Sequence, residues 1–95
     1  MYVRVVRFTD VSPERVDSTL AQIEASNGPP PGVVSTRLQM FYDADQRTAV
    51  VLQHFDTVEN MTESGRIFAA MDASETPGTR ASVDTCEVKL DITAS

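Results

Sequence analysis

A chain of 95 residues, 41% hydrophobic and 23% charged, has the composition of an ordinary globular protein and fits one domain spanning 1–95. A formal net charge of -6 leaves no basic surplus to displace counterions from phosphate, so nucleic acid and anionic membrane are excluded as first partners. No run approaches the roughly 18 apolar residues of a membrane span, and Arg4 and Arg7 interrupt the stretch where a secretory leader would need its apolar core. The chain is therefore expected to be cytoplasmic.

Tyr2 to Thr9 is rich in β-branched and aromatic residues and runs into Asp10, which predicts a first strand. Ser12-Pro13-Glu14 supplies an N-cap, a proline for the first helical position and an acid for the first turn. Val11 and Val16 are spaced for a hydrophobic staple. The helix that follows carries Val16, Leu20 and Ile23 on one stripe and stops at Asn27-Gly28. Pro29-Pro30-Pro31-Gly32 reads as a stiff extended connector.

Val33 to Tyr42 and Arg47 to Phe55 are strand-like runs separated by Asp43-Ala44-Asp45-Gln46, which predicts a hairpin. Asp56 or Thr57 caps a second helix reaching about Met71, with Val58, Met61, Gly65 and Phe68 along one side. The loop Ser74-Glu75-Thr76-Pro77-Gly78 ends it, and Ser82 to Ile92 is the last strand. A strand, helix, strand unit used twice is the ferredoxin-like α+β motif βαββαβ. It predicts a four-stranded antiparallel sheet in spatial order 4-1-3-2 with both helices on one face.

Alternation then assigns a second sheet face. With Cys86, Val88, Leu90 and Ile92 turned toward the helices, the last strand shows Thr85, Glu87, Lys89 and Asp91 on the far side. With Val34, Leu38 and Met40 inward, the second strand shows Ser35, Arg37 and Gln39, and the central strands contribute Val3, Val5, Ala49 and Val51. An apolar centre with a polar rim is the pattern of a subunit interface. A domain this small buries only about 60 to 65% of its unfolded surface, so a homodimer formed through that face is the expected assembly. The first strand places either Arg4 or Arg7 on the helix side.

The segment Val50-Val51-Leu52-Gln53-His54-Phe55-Asp56-Thr57-Val58-Glu59, a strand ending in phenylalanine followed by a small-residue cap, an acid and an amphipathic helix, resembles the corresponding region of antibiotic-biosynthesis monooxygenase-like proteins. Element order and length agree with that dimeric α/β-barrel superfamily over nearly the whole chain. The resemblance implies a homodimer with its sheets face to face and a pocket between helices and sheet in each subunit. It also implies, for some members, cofactor-free oxidation of polycyclic aromatic substrates and, for others, haem degradation. The chain has no tryptophan, and Asn60-Met61-Thr62-Glu63-Ser64 lacks the histidine often found on that helix, so neither set of site residues carries over.

Among residues able to do chemistry, His54 is the only histidine and stands near the end of a central strand, where it would serve as a proton handler. Whichever of Arg4 and Arg7 faces the helices would hold an anion such as a carboxylate or phenolate. Gly65 interrupts an apolar helical stripe at a cost of about 1 kcal/mol, which suggests a close approach of backbone or ligand. Phe55, Met61, Phe68 and Met71 would line a soft apolar pocket there, and Tyr42 would add a phenolic donor. Each of these residues also has an ordinary core or surface role. Cys86 is the only cysteine, which excludes an internal disulfide and a thiolate metal cluster within one chain. No phosphate loop, metal-ligand pair or Ser-His-Asp arrangement is present, so no metal and no cofactor are expected. Two functions fit: a cofactor-independent monooxygenase-like enzyme acting on an aromatic or polyketide-like molecule, and a non-catalytic dimer that binds a small apolar or aromatic molecule or a partner.

Overall fold

The computed structural model describes residues 1–26, 28, 32–71 and 76–94. In chain order they form β1 (Tyr2–Thr9), α1 (Pro13–Ala25), β2 (Arg37–Asp43), β3 (Thr48–Phe55), α2 (Val58–Ala69) and β4 (Thr79–Glu87). The strands pair antiparallel in the order β2-β3-β1-β4. This is the ferredoxin-like α+β fold, with β1 and β3 central as the repeated pattern predicts. Asn27, the Pro29-Pro30-Pro31 connector and the Ser74-Glu75 part of the third loop lie outside the described residues. Among the described residues no helix is long and apolar enough to cross a membrane.

Both helices begin where side-chain caps dictate. Ser12 is extended, and its hydroxyl accepts from the Arg15 backbone N–H at 3.2 Å with Pro13 in the first turn. At α2 the cap is Thr57 rather than Asp56, its Oγ1 accepting from the Asn60 N–H at 3.1 Å. Such caps satisfy otherwise orphaned donors and contribute about 1 kcal/mol each. The corner between β1 and α1 is tied to the β2–β3 hairpin. Val11 N–H donates to Arg47 O at 2.9 Å, and Tyr42 Oη donates to Val11 O at 2.8 Å.

The register decides which residues meet the helices. Arg4, Val6 and Phe8 of β1 stand opposite Gln53, Val51 and Ala49 of β3, and all but Val51 are buried. Val6, Phe8, Val11 and Ala49 form the core, with Val16, Met40, Tyr42 and Val51 packed against it. The staple of Val11 and Val16 is therefore in place, and of the two arginines Arg4 is the inward one. The expected phase of β3 is corrected: Ala49 and Val51 face the helices, because they pair with Phe8 and Val6. Val50 and Leu52 take their place beside Val3 and Val5 on the open face.

The last strand also departs from its expected limits and phase. It runs Thr79–Glu87 rather than Ser82 to Ile92, because β1 starts at Tyr2, opposite Glu87, and only the Val88 N–H still finds a partner, Met1 O at 2.9 Å. Cys86 pairs with Val3, so it shares the open face with Ser82 and Asp84 instead of lying inward. Leu90 and Ile92 are each 77% exposed. In β2, Leu38 and Met40 face the helices and Arg37 and Gln39 face away, as alternation predicts, although the strand begins only at Arg37. On α1 the buried residue is Thr19, and Leu20 and Ile23 are each 42% exposed. The helix thus turns a polar residue toward the sheet and leaves part of its apolar stripe uncovered.

Two glycines test this packing in opposite senses. A methyl group at Gly65 would stand 3.6 Å from Arg4 Nε, an ordinary contact, in helical backbone. At Gly78 it would come within 2.5 Å of the Thr9 carbonyl oxygen and 2.7 Å of Val11 Cγ2. Gly65→Ala is expected to raise stability by about 0.5–1 kcal/mol by removing glycine's helical penalty. Gly78→Ala is expected to lower it by about 1–3 kcal/mol through overpacking against fixed backbone. Urea unfolding of both variants measures the contrast, and equal or reversed effects would contradict the packing described.

Candidate functional site

Between α1 and the helix-facing side of the sheet lies a cleft of about 750 Å³, within the size range of small-molecule sites. Its floor is Val6 and Phe8 of β1, Val51 of β3, and Leu38 and Met40 of β2. Ile23 of α1 forms one wall, while Phe68 and Met71, at and just beyond the end of α2, form the other. The cleft is open because Thr19 and Gln22 face it from α1 where larger apolar residues would fill the space. A second depression, about 300 Å³ beside Asp10, Ser12 and Gly78, is polar, and the guanidinium of Arg15 at its edge donates to Thr76 O.

Arg4 is the unusual member of the cleft. It is only 4% exposed, although it carries a guanidinium, and arginine is seldom buried unless paired with an acid. Its described partners are uncharged. Nη1 donates to Gln53 Oε1 at 2.9 Å, and the guanidinium carbon lies 5.5 Å from the centre of the Phe68 ring, a cation–π arrangement. Burial pulls the Arg4 pKa below its ordinary value, and the charge of Arg80 pulls it further. Arg80 stands at the rim, where its Nη2 donates to Phe68 O at 3.1 Å. No Asp or Glu lines the cleft among the described residues, and within that set the charges that meet there are the two arginines.

The residues expected to form a site are divided between the two sides of the sheet. Arg4, Phe68 and Met71 meet in the cleft. Gly65 lies behind Arg4, so the close neighbour inferred from its sequence position is that side chain. Phe55 and Met61 are buried away from the cleft, and the Tyr42 hydroxyl is committed to Val11 O. His54 does not join Arg4. It stands opposite Val3, on the open face, with Nε2 at 3.0 Å from Gln39 Oε1; an amide oxygen only accepts, so Nε2 donates. Arg7 is exposed on the same open face, opposite Val50 and Ser82.

Two residues of the cleft, Gln53 at its polar end and Arg80 at its rim, are not singled out from the sequence. Gln53 carried a usable signal, since it is a polar side chain inside the otherwise apolar run Ala49 to Leu52. Arg80 carried none, because only the crossing of β4 beside β1 brings it near Arg4. No protein-family model matches the chain, and no curated protein matches it either.

The pairing of Arg4 with Gln53 is open to direct measurement. Gln53→Leu leaves the buried guanidinium without its acceptor and is expected to lower stability by about 1–3 kcal/mol. The double variant Arg4→Met/Gln53→Leu removes both polar partners and is expected to recover most of that loss. A double-mutant cycle with no coupling between the two positions would contradict the interaction.

Proposed function

We propose that this protein is a small-molecule-binding homodimer that holds an apolar or aromatic guest in the cleft between α1 and the sheet. The observation that carries this reading is the cleft itself. Val, Leu, Ile, Met and Phe side chains supply its apolar floor and walls, and polar groups enter from α1 and its cap, as Thr19, Gln22 and Ser26, and from the strands, as Arg4, Gln53 and Arg80, a combination of apolar surface and polar anchors that suits a ligand site. Methionines such as Met40 and Met71 adapt their shape to irregular guests. Binding without chemistry is favoured over the oxygenase activity that the family resemblance implies. Among the described residues the cleft lining holds no histidine, tyrosine or carboxylate, and His54, the expected proton handler, lies across the sheet from it.

The dimer rests on the opposite face. Val3, Val5, Val50 and Leu52 form its centre, and Phe41 on β2 is 52% exposed. Arg37 on one edge strand and Asp84 on the other supply opposite charges at the two margins. A second copy of the chain satisfies both features when its β4 margin lies over the first copy's β2 margin. The exposed Leu90 and Ile92 beyond β4 provide further apolar surface for such a neighbour. This arrangement agrees with the dimeric α/β-barrel resemblance.

Sedimentation equilibrium at micromolar concentration is expected to give twice the chain mass of 10.4 kDa, and Leu52→Lys is expected to shift it to the monomer. A monomeric wild type would refute the dimer. For the cleft, the neutral dye Nile red is expected to bind with enhanced fluorescence, and Val51→Arg, which would direct a charge into the floor, is expected to abolish it in a variant that remains folded by circular dichroism. Absence of dye binding by the wild type would count against the cleft reading.

A further inference from the structure

We propose that the guest is a hydrophobic acid, an aryl or alkyl carboxylate whose anionic head is recognised by Arg4 with Gln53 and Arg80 while its apolar body occupies the rest of the cleft. This rests on the cleft being a ligand site and goes beyond it by naming the chemistry of the ligand.

The donors at the site are more numerous than the acceptors facing them. A guanidinium offers five N–H groups, and Gln53 engages Nη1 alone. No buried side-chain nitrogen or oxygen among the described residues lacks a partner. Arg4 Nε and Nη2 and the amide nitrogen of Gln53 form no hydrogen bond, so each keeps some accessible surface, and both residues line the cleft. The free Nε and Nη2 make up one edge of the guanidinium fork, the edge that receives a carboxylate through two parallel hydrogen bonds. The Gln53 amide group, fixed by its own bond to Arg4, is placed to add a third donor.

Charge leads to the same class of guest. The chain as a whole is strongly acidic, with a net charge of -6, yet the cleft carries Arg4 and Arg80 and no Asp or Glu among the described residues. The two guanidinium groups disfavour each other, as the lowered pKa of Arg4 reflects after its burial is taken into account. An anion placed between them would offset both the desolvation and the mutual repulsion. A monoanion fits better than a phosphate ester or a polyanion, because a single buried fork is available and the surrounding walls, Val6, Leu38, Val51 and Phe68, are apolar. Phe68, already against the guanidinium, is positioned to contact an aromatic body next to the carboxylate.

The test compares naphthoate with naphthamide, its neutral counterpart of nearly the same shape, by titration calorimetry on the full chain. Naphthoate is expected to bind at least about tenfold more tightly, the effect of one charge-assisted hydrogen-bond pair. Arg4→Met is expected to bring the two affinities within about twofold of each other, because naphthoate loses far more from the missing guanidinium than naphthamide does. Arg80→Gln, on an exposed residue where folding is not at stake, is expected to reduce the preference about threefold by removing the rim charge. Equal affinity for the two probes in the wild type, or a preference that survives both substitutions, would overturn the proposal. If Nile red binds and the probes are not distinguished, the cleft stands and the acid is wrong. If naphthoate binds in an Arg4-dependent way where Nile red does not, the acid stands and the broader apolar reading is wrong.

Discussion

A guanidinium buried on the helix side of the sheet, held by an amide instead of a carboxylate, governs this structure. Removing a cation from water is costly unless partners replace the lost hydration. Arg4 obtains one hydrogen bond from Gln53 and a ring face from Phe68. Both depend on the antiparallel register that sets Arg4 directly across from Gln53 and on α2 crossing above them. A shift of one residue between β1 and β3 would send Arg4 to the open face and Val3 or Val5 inward. The hydrophobic core and the polar end of the cleft are thus fixed by a single choice of pairing.

Around that point the fold separates packing from accessibility. One end of the helix layer closes tightly: Val11 is fully buried, with Val6, Phe8 and Ala49 around it, and Tyr42 hydrogen-bonds across the corner. Toward the other end α1 offers Thr19, Gln22 and Ser26 to the same space that the sheet lines with Leu38, Met40 and Val51. A helix whose inward positions are polar cannot seal against an apolar sheet, so a cleft remains where a core would otherwise form. The same cause leaves Leu20 and Ile23 partly exposed. At Gly65 the helix passes over the Arg4 side chain with room for a methyl group, whose carbon would stand 3.6 Å from Nε.

The two sheet faces therefore have different roles. The helix face holds the core and a cationic, apolar cleft; the open face carries Val3, Val5, Val50 and Leu52 with His54, Arg7 and Arg37 around them. Residues adjacent in sequence, such as Gln53 and His54, are on opposite sides of a layer that side chains do not cross. This is why a histidine and an arginine that look like natural partners along the chain do not cooperate in one site.

Composition, caps and periodicity were sufficient for the element order, the strand order and the start of α1, and narrowed the cap of α2 to Asp56 or Thr57, because Ser12, Pro13 and Thr57 act through local hydrogen bonds and fixed backbone angles that need no distant partner. They also marked Arg4, Phe68 and Met71 as residues of interest. They could not set the phase of β1 or β3, since Val3, Val5, Val6 and Phe8, and likewise Ala49 to Leu52, place apolar groups on both faces and so erase the alternation that would reveal an inside. In β4 the clearest alternation, Val88, Leu90 and Ile92, lies past the point where β1 supplies a partner. Pairing between strands far apart in sequence resolved these choices. The same pairing put Gln53 across from Arg4 and brought Arg80 to the rim, because hydrogen bonding between β1, β3 and β4 sets their positions in three dimensions, and nothing local to those residues encodes it.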